Sequence, residues 1–214
     1  MKGKKRLVLA TLAIFCFGLG SLGLLRAILV PGPVAIISEK YPTLGYDHSK
    51  IEVVVFEDFL CHTCKYFTME VFPAIETTYV DQGVAKYVMV PLAFSPRSKE
   101  IANAALSVFH QAPHYYFPYV RELFLRFSDS NLELKDLASA ASKFKGIDLS
   151  LFENDVKTGR YDQELDQNLL LAKKAMKRNL RTPAVFINGF QMPGISFESI
   201  SSQIEEILKA KGAQ

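Results

Sequence analysis

Tryptophan is absent from this 214-residue chain, and cysteine and histidine are scarce, at three and four residues. Aromatic packing therefore falls to 16 Phe and 9 Tyr, with no repeat or low-complexity tract among them, so a packed globular body is expected. Cys16 lies in an N-terminal apolar run, which leaves Cys61 and Cys64 as the cysteines of that body. Two cysteines do not make a four-cysteine zinc centre, and zinc on this pair would need two further ligands from His48, His62, His110, His114 or carboxylates. Acidic residues are missing from residues 1–30, which hold five basic ones. The formal charge of +3 thus belongs to the N-terminus, because the remainder carries 20 Lys and Arg against 22 Asp and Glu, formally −2. A body of that balance shows no electrostatic footprint for nucleic acid.

Lys2, Lys4, Lys5 and Arg6 precede an uncharged run over residues 7–25. Nineteen such residues are enough to span the hydrocarbon core, and the basic flank places the N-terminus in the cytoplasm and the body on the far side. A cleaved signal peptide is the alternative. Gly18-Leu19-Gly20 and Ser21-Leu22-Gly23 offer small-x-small sites, but the apolar run is longer than an ordinary signal core and no Ala-x-Ala closes it. An uncleaved anchor over residues 1–30 is the expectation. Bulky Ile14 and Phe15 ahead of Cys16 speak against a lipoprotein cysteine. An exported body is also the setting in which disulfides persist.

The body is organised around residues 53–67. Val53, Val54, Val55 and Phe56 read as a buried strand, and the run stops at Cys61-His62-Thr63-Cys64. Phe67, Val71 and Ile75 then recur at helical spacing. Cys61 therefore sits where a strand ends and a helix begins. There the first-turn N–H groups and the helix dipole stabilise a thiolate, and a second cysteine one turn further on is close enough to form a disulfide. A purely structural disulfide would normally close a longer loop, since so short a loop constrains the unfolded chain little. Thiol–disulfide exchange is the expected chemistry.

Pro31, Gly32, Pro33, Pro42 and Gly45 mark residues 31–47 as a linker leading into the fold, with 34–37 as a short edge strand. The first firm strand is expected over 51–56, nearly continuous in apolar residues as if covered on both faces. The helix from the cysteines should run to about Asp81, bent at Pro73, and a second strand over 85–90 should end at Pro91. Strand, helix and strand in that order make a parallel, right-handed βαβ unit. Over 98–180 the strand signal vanishes and five amphipathic helices follow, among them one marked by Phe117, Val120, Phe124 and Phe127, one by Leu134 to Phe144, and one capped by Asp148. Val185 to Ile187 gives a third strand, Asn188-Gly189 a hairpin turn, and residues 190–192 its return. Ser196 can cap a final helix carrying Ile200, Ile204, Ile207 and Leu208.

These residues resemble the thioredoxin-fold proteins, and the long helical insertion makes the chain similar to the DsbA-like exported thiol–disulfide oxidoreductases. Cys61 and Cys64 match the redox pair, Phe56, Asp58 and Cys61 match an F-x-D-x-x-C lead-in, and Thr182-Pro183 matches a residue followed by a cis-proline that faces the pair. The likeness covers roughly residues 48–211. It implies an α/β thioredoxin-like domain, 48–97 with 181–214, interrupted by an all-helical insertion, 98–180. By resemblance Cys61 is the nucleophile, Cys64 the resolving thiol, and the Thr182 backbone a holder of extended substrate.

The implied function is formation of disulfide bonds in exported proteins through the Cys61/Cys64 couple, with isomerase or reductase use of the same pair as one alternative and a redox-inactive chaperone as another. No cofactor is implied. The implied partners are exported substrate proteins and a membrane redox partner, and the implied place is the bacterial inner membrane with the catalytic domain in the periplasm, or the soluble periplasm after cleavage. Two features depart from the family pattern. The dipeptide between the cysteines is His62-Thr63, whose His62 in charged form would favour the Cys61 thiolate, and the position six before Cys61, a buried acid in thioredoxin, is Val55. Glu57 is the candidate proton acceptor for Cys64, with a surface or linker-facing role equally open.

Overall fold

The computed structural model describes residues 32–126 and 132–212. The apolar run 7–25, Cys16 and Phe127 lie outside the described residues. Among those described, no helix is long and apolar enough to cross a membrane.

The described strands form one sheet: β1 (Thr43–Leu44), β2 (Ile51–Asp58), β3 (Ala85–Leu92), β4 (Ala184–Ile187) and β5 (Phe190–Gln191), in the order β1-β3-β2-β4-β5. β2 and β3 run parallel, in register from Ile51 opposite Ala85 to Asp58 opposite Leu92. β4 runs antiparallel along the other side of β2, from Val53 opposite Ile187 to Phe56 opposite Ala184. With a strand on each side and packed side chains on both faces, β2 buries every residue except the half-buried Glu52.

Both main strands continue past the points expected from sequence. β2 takes in Glu57 and Asp58, because each carboxyl finds hydrogen-bond partners inside the protein. β3 takes in Pro91, which makes no ladder bond that the sheet would miss. Met89 donates its N–H to the Pro42 carbonyl, on the β1 side, and Pro91 points the same way but beyond the end of β1. Its carbonyl accepts from Asn168 Nδ2 instead. Proline is tolerated in a strand where its nitrogen faces an open edge.

Residues 34–37 do not form the expected strand; the edge strand is β1, a few residues later. Val34 donates its N–H to the Gly189 carbonyl at the β4–β5 hairpin, and Val34, Ile36 and Tyr41 pack against the sheet. Asn188 (φ 48°) and Gly189 (φ 82°) both adopt the left-handed conformation, the type I′ turn that matches the twist of two antiparallel strands.

The helix α1, residues 62–80, begins one residue after Cys61. The bend anticipated at Pro73 appears as a wider turn: residues Phe67–Val71 are π-helical, and the Phe72 N–H reaches back five residues to the Phe67 carbonyl. The register shift accommodates a proline that cannot donate. α1 buries Cys64, Phe67, Val71, Phe72, Ile75 and Tyr79 against the sheet.

Between β3 and β4 come α2 (Pro96–Gln111), α3 (Tyr116–Arg126), α4 (Leu134–Ala141), α5 (Leu149–Thr158) and α6 (Asp162–Met176). The chain is thus a mixed α/β thioredoxin-like core with an all-helical insertion. Asp148 caps α5 by accepting from the Ser150 and Leu151 N–H groups. α4 stops at Ala141, short of the expected Phe144, whose ring packs in the following turn against Tyr115 and Tyr119. The last helix is α7 (Phe197–Gly212).

Side chains from alternate strand positions go to opposite faces. Ile51, Val53, Val55, Tyr87 and Met89 join α1 and α2–α5 in the larger core, whereas Val54, Phe56, Val88, Val90 and Phe186 meet α6. This double coverage explains the continuous apolar run that marks β2 in the sequence. The alternation also sends Glu57, two residues beyond Val55, to the α1 side.

Candidate active site

Cys61 occupies the N-cap of α1, with extended φ and ψ of −89° and 116°, and its carbonyl accepts the first helical bond from the Lys65 N–H at 3.0 Å. Its own N–H donates to the Asp58 carbonyl at 3.1 Å. The Asp58 carboxylate is buried and accepts from the Leu60 N–H at 2.7 Å, from the Phe94 N–H at 3.0 Å and from the Ser98 hydroxyl. One acid therefore ties the end of β2, the turn before Cys61 and the start of α2 together. The F-x-D-x-x-C spacing has this physical content, which sequence reasoning carried only as a motif.

The two cysteines are free thiols with opposite surroundings. Cys61 is half-buried, and its pKa is lowered to about 5. A hydrogen bond from the Cys64 side chain is the largest cause, and partial burial opposes it; the Thr182 side chain and the Cys64 and Thr63 backbone N–H groups add to the lowering. Cys64 is fully buried, and its pKa is pushed far up, first by burial, then by the Cys61 side chain and the Glu57 carboxyl. One sulfur is poised as a nucleophile and the other held as a thiol.

The Thr182–Pro183 peptide is cis, and the Thr182 carbonyl accepts from the Cys61 thiol at 3.4 Å. These residues are 121 positions apart in the chain. The pairing of Ala184 with Phe56 brings them together, since β4 begins immediately after Pro183 and runs back along the strand that leads to Cys61. His62 and Thr63 are both exposed in the first turn of α1.

Glu57 is fully buried, which overturns a surface or linker-facing position. Its Oε2 accepts from the Thr68 hydroxyl at 2.7 Å and its Oε1 from the Tyr87 hydroxyl at 3.2 Å. Burial raises its pKa to about 8; the two hydrogen bonds pull down against that, and the Cys61 charge adds to the rise. The position expected to hold an acid, Val55, is fully buried and apolar. The acid has moved two residues along the same strand face. Thr68 and Tyr87 were missed in the sequence, where their only signal is register: Tyr87 lies opposite Val53, and Thr68 falls one turn past Cys64 on the inner side of α1.

The arrangement provides an accessible low-pKa thiolate, a buried partner thiol and a buried acid coupled to both. That combination has the parts that thiol–disulfide exchange at the Cys61 sulfur requires.

Comparisons agree with the geometry. Residues 38–206 match the family model described as Thioredoxin. Disulfide bond formation protein D of Bacillus subtilis is 28% identical over 185 residues, covering 79% of this chain and 78% of that protein. Among solved structures, oxidised BdbD from Bacillus subtilis superposes with a TM-score of 0.76 at 24% identity, over 84% of this chain and 98% of that one. DsbA from Chlamydia trachomatis gives a TM-score of 0.75 at 26% identity, again over 84% and 98%.

Proposed function

Because the chain belongs to the thioredoxin family, as a thiol–disulfide oxidoreductase of the DsbA-like kind, we propose that it works in the oxidising direction and forms disulfide bonds in exported proteins. The carrying observation is the depressed pKa of Cys61. A stabilised thiolate exists only in the reduced protein, so it favours the reduced form and makes the disulfide a stronger oxidant. The name of the Bacillus subtilis relative, a disulfide bond formation protein, supports the same direction.

In this reading a substrate thiolate attacks the Cys61 sulfur of the Cys61–Cys64 disulfide. A substrate–Cys61 bond forms, the Cys61–Cys64 bond breaks, and the electron pair goes to Cys64. Its buried thiolate takes a proton from the Glu57 carboxyl, which is held mostly protonated at neutral pH. A second substrate thiolate then attacks the substrate sulfur of the mixed disulfide, forming the product disulfide and releasing Cys61 as a low-pKa leaving group. Glu57 regains its proton from solvent, and the reduced pair passes the two electrons taken from substrate to the disulfide of a membrane redox partner, the Cys61–Cys64 bond re-forming as the Cys64 proton is released. Thr182 and Pro183 border the nucleophile and hold extended substrate by main-chain bonds. The redox framework is assigned to 48–97 and 181–214 and the insertion to 98–180, with the N-terminal segment as a membrane anchor and the body in the periplasm. Isomerase or reductase use of the same pair draws on Glu57 as well, since once ionised it accepts the Cys64 proton.

Titration of the reduced protein tests the direction. Thiolate ultraviolet absorbance is expected to appear with a midpoint near pH 5. Against an unfolded cysteine of pKa about 8.5, this stabilisation of the reduced form is fully present above the unfolded value and disappears as pH falls through about 5. Equilibration with glutathione should accordingly show the pair more oxidising than the buffer at neutral pH. A midpoint at the ordinary cysteine value would remove the support for oxidation.

His62, exposed in the first turn, adds to this poise if its imidazole lies near the Cys61 sulfur. His62→Ala is expected to raise the Cys61 pKa and make the potential more negative, by roughly 30 mV for a tenfold change in the equilibrium constant. The backbone N–H groups of Thr63 and Cys64 remain, so the thiolate is weakened and not lost. Unchanged pKa and potential would show that the imidazole has no part in the poise.

A further inference from the structure

Glu57 accepts hydrogen bonds from hydroxyls of two separate elements, and a third buried hydroxyl belongs to the same core. Thr68 of α1 and Tyr87 of β3 donate directly to its two oxygens. The third is Tyr116, the first residue of α3 in the helical insertion, fully buried in the core that also holds Tyr87, where burial first and then the Glu57 charge push its pKa up. Its hydroxyl is buried without a hydrogen-bond partner. The ring is held in place by Phe117 at 5.3 Å and Phe109 at 5.7 Å, and Phe117 in turn meets Tyr87 at 5.8 Å.

A lone buried hydroxyl is costly, and a carboxylate with two donors still has unused lone pairs. When Glu57 gives up its proton, the negative charge will attract the remaining donor, directly or through one water. The ionisable groups facing Glu57 are Cys61 and Cys64 from α1, Tyr87 from β3 and Tyr116 from α3. The tyrosines are pushed well above their usual range by burial and remain donors throughout the working pH range.

We propose that Thr68, Tyr87 and Tyr116 act as a set of positioning residues that fixes the pH at which Glu57 exchanges a proton with Cys64, Tyr116 thereby making the helical insertion part of the redox centre. This rests on Glu57 as the proton carrier of the exchange reaction. The step balances simply: as Cys64 attacks the Cys61–substrate disulfide, the Cys61–Cys64 bond forms, the substrate thiolate leaves, and the Cys64 proton goes to ionised Glu57.

The test uses full-length protein carrying a mixed disulfide between Cys61 and glutathione, with the rate of intramolecular release followed in single turnover across pH. Wild type is expected to show a rising limb centred near pH 8. Glu57→Gln should remove that limb; if the limb persists, the proton-carrier reading itself fails. Tyr87→Phe and Thr68→Val should each move the midpoint up by about one unit, a tenfold change in the ionisation constant, since each deletes a donor to the charged form. Tyr116→Phe should move it the same way by less. A merely structural role for these residues would lower the unfolding midpoint of the oxidised protein without moving the limb. A limb lost in Glu57→Gln but unmoved in Tyr87→Phe overturns the positioning set, and one unmoved only in Tyr116→Phe removes the insertion from the centre.

Discussion

Cys61→Ala is expected to abolish disulfide exchange entirely, whereas Cys64→Ala should trap substrate. Cys61 is the thiol with a solvent-facing surface and a pKa near 5, and Cys64 is fully buried with its pKa far above the ordinary value. Without Cys61 the remaining sulfur is inaccessible and protonated, and exchange needs a thiolate. Without Cys64, Cys61 still attacks a substrate disulfide, but the partner that opens the adduct is gone. Turnover of a protein-disulfide substrate measured for both variants, with non-reducing separation of adducts, decides the matter. Retention of normal activity by Cys61→Ala would sink the assignment of the nucleophile. Failure of Cys64→Ala to accumulate adducts would overturn Cys64 as the resolving thiol, since another thiol would then be opening them.

Asp58→Ala is expected to cost about 3–5 kcal/mol of stability, as a buried charged acceptor with three donors. The Leu60 and Phe94 N–H groups and the Ser98 hydroxyl all converge on its carboxylate, and Ser98 is itself buried. Each hydrogen bond to a charged group contributes about 1.5–3 kcal/mol, and the three share one acceptor, so they do not add fully. Truncation leaves the donors unpaired and frees the turn from which Cys61 enters α1. Denaturant unfolding of the reduced protein measures the loss, and Asp58→Asn, which keeps one acceptor, should fall between. A loss below about 1 kcal/mol would show that water reaches these donors once the carboxylate is gone.

Much of the site was legible because its signals are local. The apolar run over β2, the helical spacing of Phe67, Val71 and Ile75, and the turn at Asn188-Gly189 each fix local structure within a few residues of themselves. The same holds for the Asp148 cap of α5. Strand ends were less legible. Glu57 and Asp58 look like the end of β2 by polarity, and Pro91 like the end of β3, yet all three continue the strands because their partners lie elsewhere in the chain.

The sequence by itself determined that a reactive cysteine pair stands at a strand-to-helix junction, because the spacing of the cysteines and the change of hydrophobic period are properties of adjacent residues. Only the tertiary structure decided what that pair feels. The Thr182 carbonyl reaches Cys61 across 121 positions, and the hydroxyl of Tyr87 reaches Glu57 across 30. The edge strand beside β3 is β1, whereas residues 34–37 lie by the β4–β5 hairpin at the other end of the sheet, where Val34 bonds the Gly189 carbonyl. Burial first of all sets the protonation of Cys64 and Glu57, and burial depends on which distant segments the packed sheet brings together; the lowering at Cys61 comes first from Cys64 three residues away, with Thr182 adding to it from across the chain.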